Sequence, residues 1–229
     1  MRRVRNAVLA VALAALVALA LAAVVAVAPE ANAQEPTRPA PVTYAPITGG
    51  EYKIDTAHST VGFAIRHYEI NWVSGRFREF TGTVNYDETD ITKSTVEFTA
   101  KVESIDTGVA GRDKHLRNAD FFDVEKYPEM TFKSTRVERR GKSFVLHGDL
   151  SFHGVTKPVA IPFTLTGAIK DPRGNTRVGI NGQTTINRRD FGITWGKQME
   201  GGGLDIGNEV NVTLQLEAVK AAPKPAAGQ

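Results

Sequence analysis

The sequence predicts an all-β domain, and three of its features support that prediction. Residues 95–103 alternate strictly between apolar and polar side chains, which is typical of a strand with one buried and one solvated face. Comparable alternation recurs along the chain in segments separated by turn sequences, such as the Asp-Pro-Arg-Gly at 171–174. Only residues 111–128 break the pattern clearly.

Nine segments have the composition of strands: 51–55, 60–68, 77–86, 95–103, 129–138, 144–152, 159–169, 178–186 and 210–218. Antiparallel strands in this number form either a β-sandwich or a closed barrel, and the alternation leaves both open. Long strands with internal glycines favour the barrel, because glycine permits strong coiling and vacates interior volume. These glycines are Gly62, Gly82, Gly148, Gly167 and Gly182. The uneven step from Phe77 to Phe80 predicts a bulge.

Residues 111–128 predict a short helix. Leu116, Ala119 and Phe122 recur about every three residues, which places them on one helical face, and Pro128 is a natural end. A single helix among many strands packs on the side of the β-structure or closes one end of it. We expect this helix to cap one end.

The two ends of the chain are predicted to lie outside the folded unit, which spans 51–220. Residues 1–33 combine a basic start, a long apolar run and small residues before Ala33, the pattern of a secretory signal peptide. The apolar run is also long enough for an uncleaved membrane anchor, which is the alternative. Residues 34–50 form a proline-rich flexible linker, and 221–229 a disordered tail. We therefore expect an exported protein, periplasmic or secreted after cleavage near Ala33.

Charge and cysteine content exclude two classes of function. The formal net charge of +3 comes mainly from three arginines within 1–33, so the rest of the chain carries 25 basic and 24 acidic residues. A nearly neutral domain lacks the basic surface that nucleic acid requires. The chain contains no cysteine, so neither disulfides nor a thiol nucleophile contribute.

The sequence shows no constellation typical of an enzyme. None of its five histidines has the spacing of a metal site with supporting carboxylates. Neither a Gly-x-Ser-x-Gly nucleophile elbow nor a glycine-rich phosphate loop is present. We therefore expect a protein that is not an enzyme and that uses no metal ion and no cofactor. A structural or adhesive β-sandwich domain and an uncharacterised hydrolase remain the alternatives.

Several short motifs, taken together and in order, resemble the YceI-like family of polyisoprenoid-binding proteins. The motifs are Asp-Thr-Ala-His-Ser at 55–59, Phe-Ala-Ile-Arg-His at 63–67, Gly-Arg-Phe at 75–77, Phe-Thr-Gly at 80–82, Arg-Asp-Lys-His-Leu at 112–116, Asp-Phe-Phe-Asp at 120–123, Tyr-Pro at 127–128, Gly-Asp-Leu-Ser-Phe-His-Gly-Val-Thr-Lys at 148–157 and Asn-Arg-Arg-Asp-Phe-Gly at 187–192. The resemblance implies an eight-stranded antiparallel, lipocalin-like barrel with a short helix capping one end. It also implies an exported protein that encloses a long isoprenoid chain, such as a polyprenol-type lipid or a quinone tail, without catalysis.

The inward-facing positions of the strands supply candidate contacts for such a chain. They are Phe63, Ile65, Val84, Phe98, Val102, Phe144, Leu146, Leu150, Phe163, Leu165, Val212, Leu214 and Leu216. An apolar chain needs only an apolar tube, because burial of its surface contributes about 25 cal/mol per Å². About half of these side chains are expected to contact the ligand, and the others to fill the narrow end of the barrel.

Four polar residues are candidates for contacts with a lipid head group. Arg112 and His115 belong to the predicted helix, and His67 and Arg188 continue the inward phase of their strands. The alternative is structural: Asp113 pairs with an arginine and caps the helix, and His67 is a hydrogen-bonded core residue. Transient contact with a membrane during loading and the oligomeric state are left open.

Overall fold

The computed structural model describes residues 41–222, in which a compact unit begins at Thr43. Its strands are β1 (Gly50–Ile54), β2 (Thr60–His67), β3 (Asn71–Phe77), β4 (Phe80–Tyr86), β5 (Thr95–Lys101), β6 (Ile105–Asp106), β7 (Glu129–Arg140), β8 (Ser143–Phe152), β9 (Val155–Lys170), β10 (Thr176–Asn187) and β11 (Ile206–Lys220). One α-helix, α1 (Ala110–Arg117), lies between β6 and β7. Within the described range, no helix is long and apolar enough to cross a bilayer.

The strands form one antiparallel sheet that closes on itself. The pairing runs β1-β4-β5-β7-β8-β9-β10-β11, and β11 pairs back onto β1. The last part of β11 pairs with β1, whereas its earlier residues pair with β2. In the same way β3 pairs with β2 while β4 pairs with β1, and the short β6 pairs with β3. The first three positions of the wall are therefore interrupted strands, and the barrel has eight positions.

Closure of the sheet confirms the barrel and excludes the β-sandwich. The bulge predicted between Phe77 and Phe80 is instead a break between two strands, since β3 ends at Phe77 and β4 begins at Phe80. The prediction missed most of β3, because Asn71, Ser74 and Arg76 give it a polar, exposed face. Sequence reasoning therefore merged two strands into one.

The helix is shorter than its sequence pattern predicts. It ends at Arg117, and Asn118 already has an extended backbone, with φ −74° and ψ 170°. The chain then folds back in turns, in which the Phe122 N–H donates to the carbonyl of Leu116 over 3.1 Å. Leu116 and Phe122 thus both pack against the core cluster at this end of the barrel, although Phe122 lies outside the helix. Pro128 therefore lies well beyond Arg117 and does not end the helix.

Apolar side chains form clusters at both ends of the barrel. The larger cluster lies beneath α1 and includes Phe121, Phe152 and Phe191. Two smaller clusters, around Tyr52 and around Val137, close the opposite end. Many inward side chains between these layers are only half-buried, because they face a hollow instead of other side chains.

Several sequence predictions fall wholly or partly outside the described residues. The signal peptide at 1–33 lies outside them, as do residues 34–40 of the linker at 34–50 and all but two residues of the tail at 221–229. Of the linker, Ala45 forms an isolated antiparallel bridge with Ala168 of β9. Ile47 packs against the cluster around Tyr52.

Candidate functional site: an apolar cavity with a polar mouth

A cavity of about 540 Å³ occupies the middle of the barrel. This volume lies within the range of roughly 300–1,000 Å³ typical of small-molecule pockets. Strand alternation builds its wall: Val212, Leu214 and Leu216 of β11 line it, whereas Thr213 and Gln215 are exposed on the outside. The wall is overwhelmingly apolar, so the cavity suits a hydrocarbon chain.

Most of the apolar candidates line this cavity. Eleven of the thirteen do so: Phe63, Ile65, Val84, Phe98, Leu146, Leu150, Phe163, Leu165, Val212, Leu214 and Leu216. The other two, Val102 and Phe144, were assigned to the wall incorrectly.

Val102 and Phe144 belong to the packed ends. Strand β5 ends at Lys101, so Val102 begins a short 3₁₀ turn and is fully buried in the core cluster beneath α1. Phe144 packs with Ile91 and Val137, and its ring centroid lies 5.3 Å from that of Phe163. Alternation predicts the face of a strand but not the depth of a residue along the barrel, and this explains both errors.

Two glycines within strands allow close packing, and neither vacates volume. A Cβ at Gly148 would lie 2.4 Å from the ring of Phe132, and one at Gly82 would lie 2.7 Å from the Ile54 side chain. Neighbouring side chains therefore already occupy the space beside both residues. The cavity results from closure of the wall and from the size of the barrel.

Polar residues line the cavity at several points, and the group at the helix end forms what we call the mouth. It comprises Arg66, His67, Thr107, Gly111, Arg112, His115 and Trp195. Trp195 lies on the β10–β11 connection, and its ring contacts those of His115 and Phe121 at centroid distances of 5.2 and 4.9 Å. The helix and this connection thus meet over the mouth.

Arg112 is partly committed to local structure. Its Nε donates to the Thr107 hydroxyl over 2.7 Å, and its Nη2 donates to the Thr107 carbonyl over 2.8 Å. Asp113 is buried and accepts from the backbone N–H and the hydroxyl of Thr107. Asp113 therefore fixes the turn before the helix, and the predicted pairing with an arginine and the predicted cap are wrong. No hydrogen bond within the described part of the chain uses Nη1 of Arg112.

The two histidines of the mouth keep hydrogen-bonding capacity. Nε2 of His115 lies 3.0 Å from a carboxylate oxygen of Asp120, and its other ring nitrogen makes no hydrogen bond to described residues. The ring of His67 packs at a tilt against that of Tyr68, with a centroid distance of 4.1 Å, and among residues 41–222 the imidazole has no hydrogen-bond partner. The expectation of a hydrogen-bonded core histidine at position 67 is therefore wrong.

Arg188 lines the cavity, but its guanidinium hydrogen-bonds to the β10–β11 connection. Its assignment as a head-group candidate is therefore wrong. Its side chain is buried and donates to four backbone carbonyls, over distances of 2.6–3.2 Å. The carbonyls belong to Ile193, Trp195, Ile206 and Gly207. Burial lowers the pKa of Arg188, in agreement with a guanidinium that solvent does not reach.

A charged cluster at the closed end of the barrel is held together by ion pairs with an arginine. Asp55, His58 and Glu217 offer possible metal-ligand atoms within 4.8 Å of one another. Arg177, however, donates to both carboxylates and also to Asp171. This guanidinium, followed by the hydrogen bond from His58, lowers the pKa of Asp55 from 3.8 to about 2. The arrangement is an ion-pair network that joins strands.

Sequence reasoning missed several residues of the cavity. Ile161, Ile180 and Ile186 line it, and strand alternation identifies their faces. Arg66 and Trp195 had no such signal, because Arg66 lies on the opposite phase of β2 and Trp195 is in an irregular, glycine-rich connection. Tyr86 lines the cavity and also packs against both closed-end clusters; burial raises the pKa of its hydroxyl.

Comparison with known proteins gives consistent matches over the whole barrel. The family model described as "YceI-like domain" matches residues 52–218. The UPF0312 protein plu2095 of Photorhabdus laumondii is 44% identical over 142 residues, which are 61% of this chain and 74% of that protein. The crystal structure of Burkholderia cenocepacia BcnA aligns with a TM-score of 0.63 at 22% identity, over 72% of this chain and 98% of that one. A polyisoprenoid binding domain from Saccharophagus degradans, implicated in plant cell wall breakdown, aligns with a TM-score of 0.57 at 16% identity, over 76% of this chain and all of that one.

Proposed function

The chain belongs to the YceI-like family, and from that premise we propose that it binds an isoprenoid lipid with the hydrocarbon chain enclosed in the barrel. The observation that carries the proposal is the apolar cavity of about 540 Å³. The shared fold of the Saccharophagus polyisoprenoid binding domain supports the ligand class. We expect contacts between the mouth and the head group to determine whether the isoprenoid is a polyprenol-type lipid or a quinone.

The energetics favour an apolar chain without polar anchors. Each buried CH₂ contributes about 0.8 kcal/mol, so a few enclosed prenyl units offset the cost of ordering the chain. The wall offers few hydrogen-bond partners, and a polar ligand would lose its hydration there without compensation. A long chain therefore enters tail first and leaves its head at the mouth.

Three polar side chains at the mouth are suited to that head group. His67, His115 and Arg112 line the same opening and retain unused hydrogen-bonding positions within the described structure. A guanidinium and two imidazoles favour an anionic or hydrogen-bond-accepting head, such as a phosphate or a quinone carbonyl. Arg188 is not part of this set.

The same features support a binding protein over a hydrolase. Across residues 41–222, no histidine ring hydrogen-bonds to a serine or threonine hydroxyl, which is the arrangement that activates the nucleophile of a serine hydrolase. We propose that the protein acts after export, in the periplasm or outside the cell, where it transports, stores or sequesters its lipid. Mass spectrometry of the protein from its native cells tests this, because a mature chain beginning at Gln34 is expected.

The ligand is tested by extraction and by filling the cavity. Protein purified without detergent is extracted with organic solvent. The extract is expected to contain an isoprenoid, which mass spectrometry identifies. Delipidated protein is then titrated with geranylgeraniol in native mass spectrometry. Val212→Trp places an indole inside the cavity and is expected to weaken binding about ten-fold or more, because the chain loses enclosed volume.

Thr213→Trp is the control for this substitution. Thr213 is adjacent on β11 but faces solvent, so the same residue change leaves the cavity intact. Circular dichroism establishes that both variants are folded. Equal binding of geranylgeraniol by the two variants refutes the proposed function. It is also refuted if the extract contains no isoprenoid and the protein does not bind geranylgeraniol.

A further inference from the structure

Large apolar side chains are exposed together at the mouth end of the barrel. They are Ile70, Val109, Tyr68, Trp72 and Trp195, with exposed fractions of 81, 51, 49, 42 and 38%. We call these five residues the mouth patch. Both tryptophans of the chain belong to it. Exposed apolar groups gathered at one end of a molecule mark an interaction surface.

Contacts connect this patch directly to the cavity. Trp195 belongs to both, and the ring of Tyr68 packs against that of the cavity-lining His67. Trp72 lies beneath the guanidinium of Arg66, 4.9 Å from the ring centroid, and Arg66 also lines the cavity. Val109 immediately precedes α1, the helix over the mouth. The mouth patch is therefore continuous with the lining of the cavity.

The tip of the β2–β3 hairpin holds its apolar side chains away from the barrel. Tyr68 and Glu69 both have a left-handed backbone, with φ of 51° and 58°, in a turn closed by the Ile70 N–H donating to the His67 carbonyl. The Tyr68 N–H also donates to the carbonyl of Asp205 over 2.9 Å. Such turns favour asparagine and glycine, so large side chains here are maintained against a conformational cost.

We propose that the mouth patch docks the barrel onto the surface of a lipid bilayer, so that an isoprenoid passes between membrane and cavity without crossing water. This inference rests on the proposed function. Tyrosine and tryptophan favour the depth of lipid head groups, and Ile70 at the tip reaches the acyl boundary. Arg66, Arg112 and Lys114 at the same end complement head-group phosphates. Glu69 and Asp120 share this end, so insertion of the apolar side chains provides most of the affinity.

Vesicle binding tests the proposal with the full mature chain. Vesicles of phosphatidylcholine and phosphatidylglycerol are titrated into the protein while tryptophan emission is recorded. A blue shift is expected, together with quenching by brominated acyl chains, because both fluorophores lie in the patch. Ile70→Ser is expected to weaken partitioning into vesicles about ten-fold.

Ile169→Ser is the matched control. Ile169 lies on β9 near the closed end and is 41% exposed, so the same change removes exposed apolar surface away from the mouth, although about half as much as at Ile70. This variant is expected to partition like the unmodified protein. Ile70 does not line the cavity, so geranylgeraniol binding in solution is expected to be unchanged in both variants.

The outcomes separate this inference from the proposed function. Binding of geranylgeraniol without binding of vesicles supports the proposed function and overturns the docking proposal. Equal vesicle binding by the two serine variants assigns membrane contact to another surface and overturns the proposal. Light scattering that shows a dimer broken by Ile70→Ser assigns the patch to a second copy of the chain and also overturns it. Absence of geranylgeraniol binding refutes the proposed function, whatever the vesicles show.

Discussion

At the scale of single residues, Arg188 shows how a buried charge is accommodated without a direct ion pair. Its guanidinium donates to four backbone carbonyls of the β10–β11 connection. The carboxylate of Asp205, also buried, accepts from the backbone N–H groups of Lys197 and Ile206 in the same connection. Gly196 passes between the two side chains with φ of 114°, and a Cβ there would lie 2.9 Å from Asp205. These bonds order a connection that has little regular structure.

Replacing Arg188 therefore tests a structural role against a ligand-binding role. Arg188→Met leaves four carbonyls without their donor and is expected to lower the free energy of unfolding by about 3 kcal/mol in urea denaturation. Arg189→Met is the control, because the Arg189 side chain is exposed and donates to the side chain of Asn208 instead of to backbone carbonyls. Its expected change is within about 0.5 kcal/mol. Equal stability of the two variants, with isoprenoid binding lost only in Arg188→Met, would restore Arg188 as a ligand contact.

At the scale of elements, α1 and the β10–β11 connection together form the cap of the barrel. The helix contributes Arg112 and His115 to the mouth, and the connection contributes Trp195. The helix is anchored through Arg117, whose guanidinium donates to the carbonyls of Glu103 and Ile105. The cap thus presents polar groups from a firmly held element to whatever occupies the opening.

The head-group role of the helix predicts a loss of preference in its variants. His115→Ala and Arg112→Ala are each expected to reduce the preference for geranylgeranyl phosphate over geranylgeraniol about ten-fold, because a charge-assisted hydrogen bond is lost. Binding of geranylgeraniol itself is expected to be maintained, since the apolar wall is unchanged. Competition between the two ligands in native mass spectrometry measures the preference.

His147→Ala provides the comparison for these variants. His147 hydrogen-bonds to Glu138 and does not line the cavity. If both helix variants prefer geranylgeranyl phosphate as strongly as His147→Ala does, α1 has no head-group role.

At the scale of the whole molecule, the barrel is secured where its first and last strands meet. Arg177 of β10 bonds Asp55 directly after β1, Glu217 of β11 and Asp171 of the β9–β10 turn. Asp55 and Arg177 are 122 residues apart in sequence, so this network ties the start of the domain to its end. It lies at the closed end, opposite the mouth, and leaves the mouth free to interact.

The network predicts an acid-sensitive stability. The pKa of Asp55 is lowered from 3.8 to about 2 in the folded protein, so its contribution is complete above about pH 4 and is lost as the pH falls through about 2. Arg177→Met removes the main cause of that shift. The variant is expected to have a lower urea midpoint at neutral pH and a weaker loss of stability between about pH 4 and pH 2 than the unmodified protein.

Arg173→Met, an exposed change in the same turn, is the reference for this pH series. It is expected to follow the unmodified protein throughout. An Arg177→Met protein whose stability falls as steeply between these two pH values as that of Arg173→Met would show that the network does not determine the acid response.

The sequence by itself determined the fold class, the family and the inward faces of the strands. Alternation along 210–218 separates Val212 and Leu214 from Thr213 because side-chain direction in a strand has a period of two. Such local rules need no knowledge of distant residues. They predicted the inward faces of the strands, and eleven of the thirteen apolar candidates line the cavity.

Only the tertiary structure decided depth, closure and partnership. It placed Val102 and Phe144 in filled layers and assigned the Arg188 guanidinium to backbone carbonyls up to 19 residues away. It also brought Trp72 and Trp195 to one rim, although 122 residues separate them in sequence. These properties arise when the wall closes and distant segments meet, and a local pattern carries no information about such meetings.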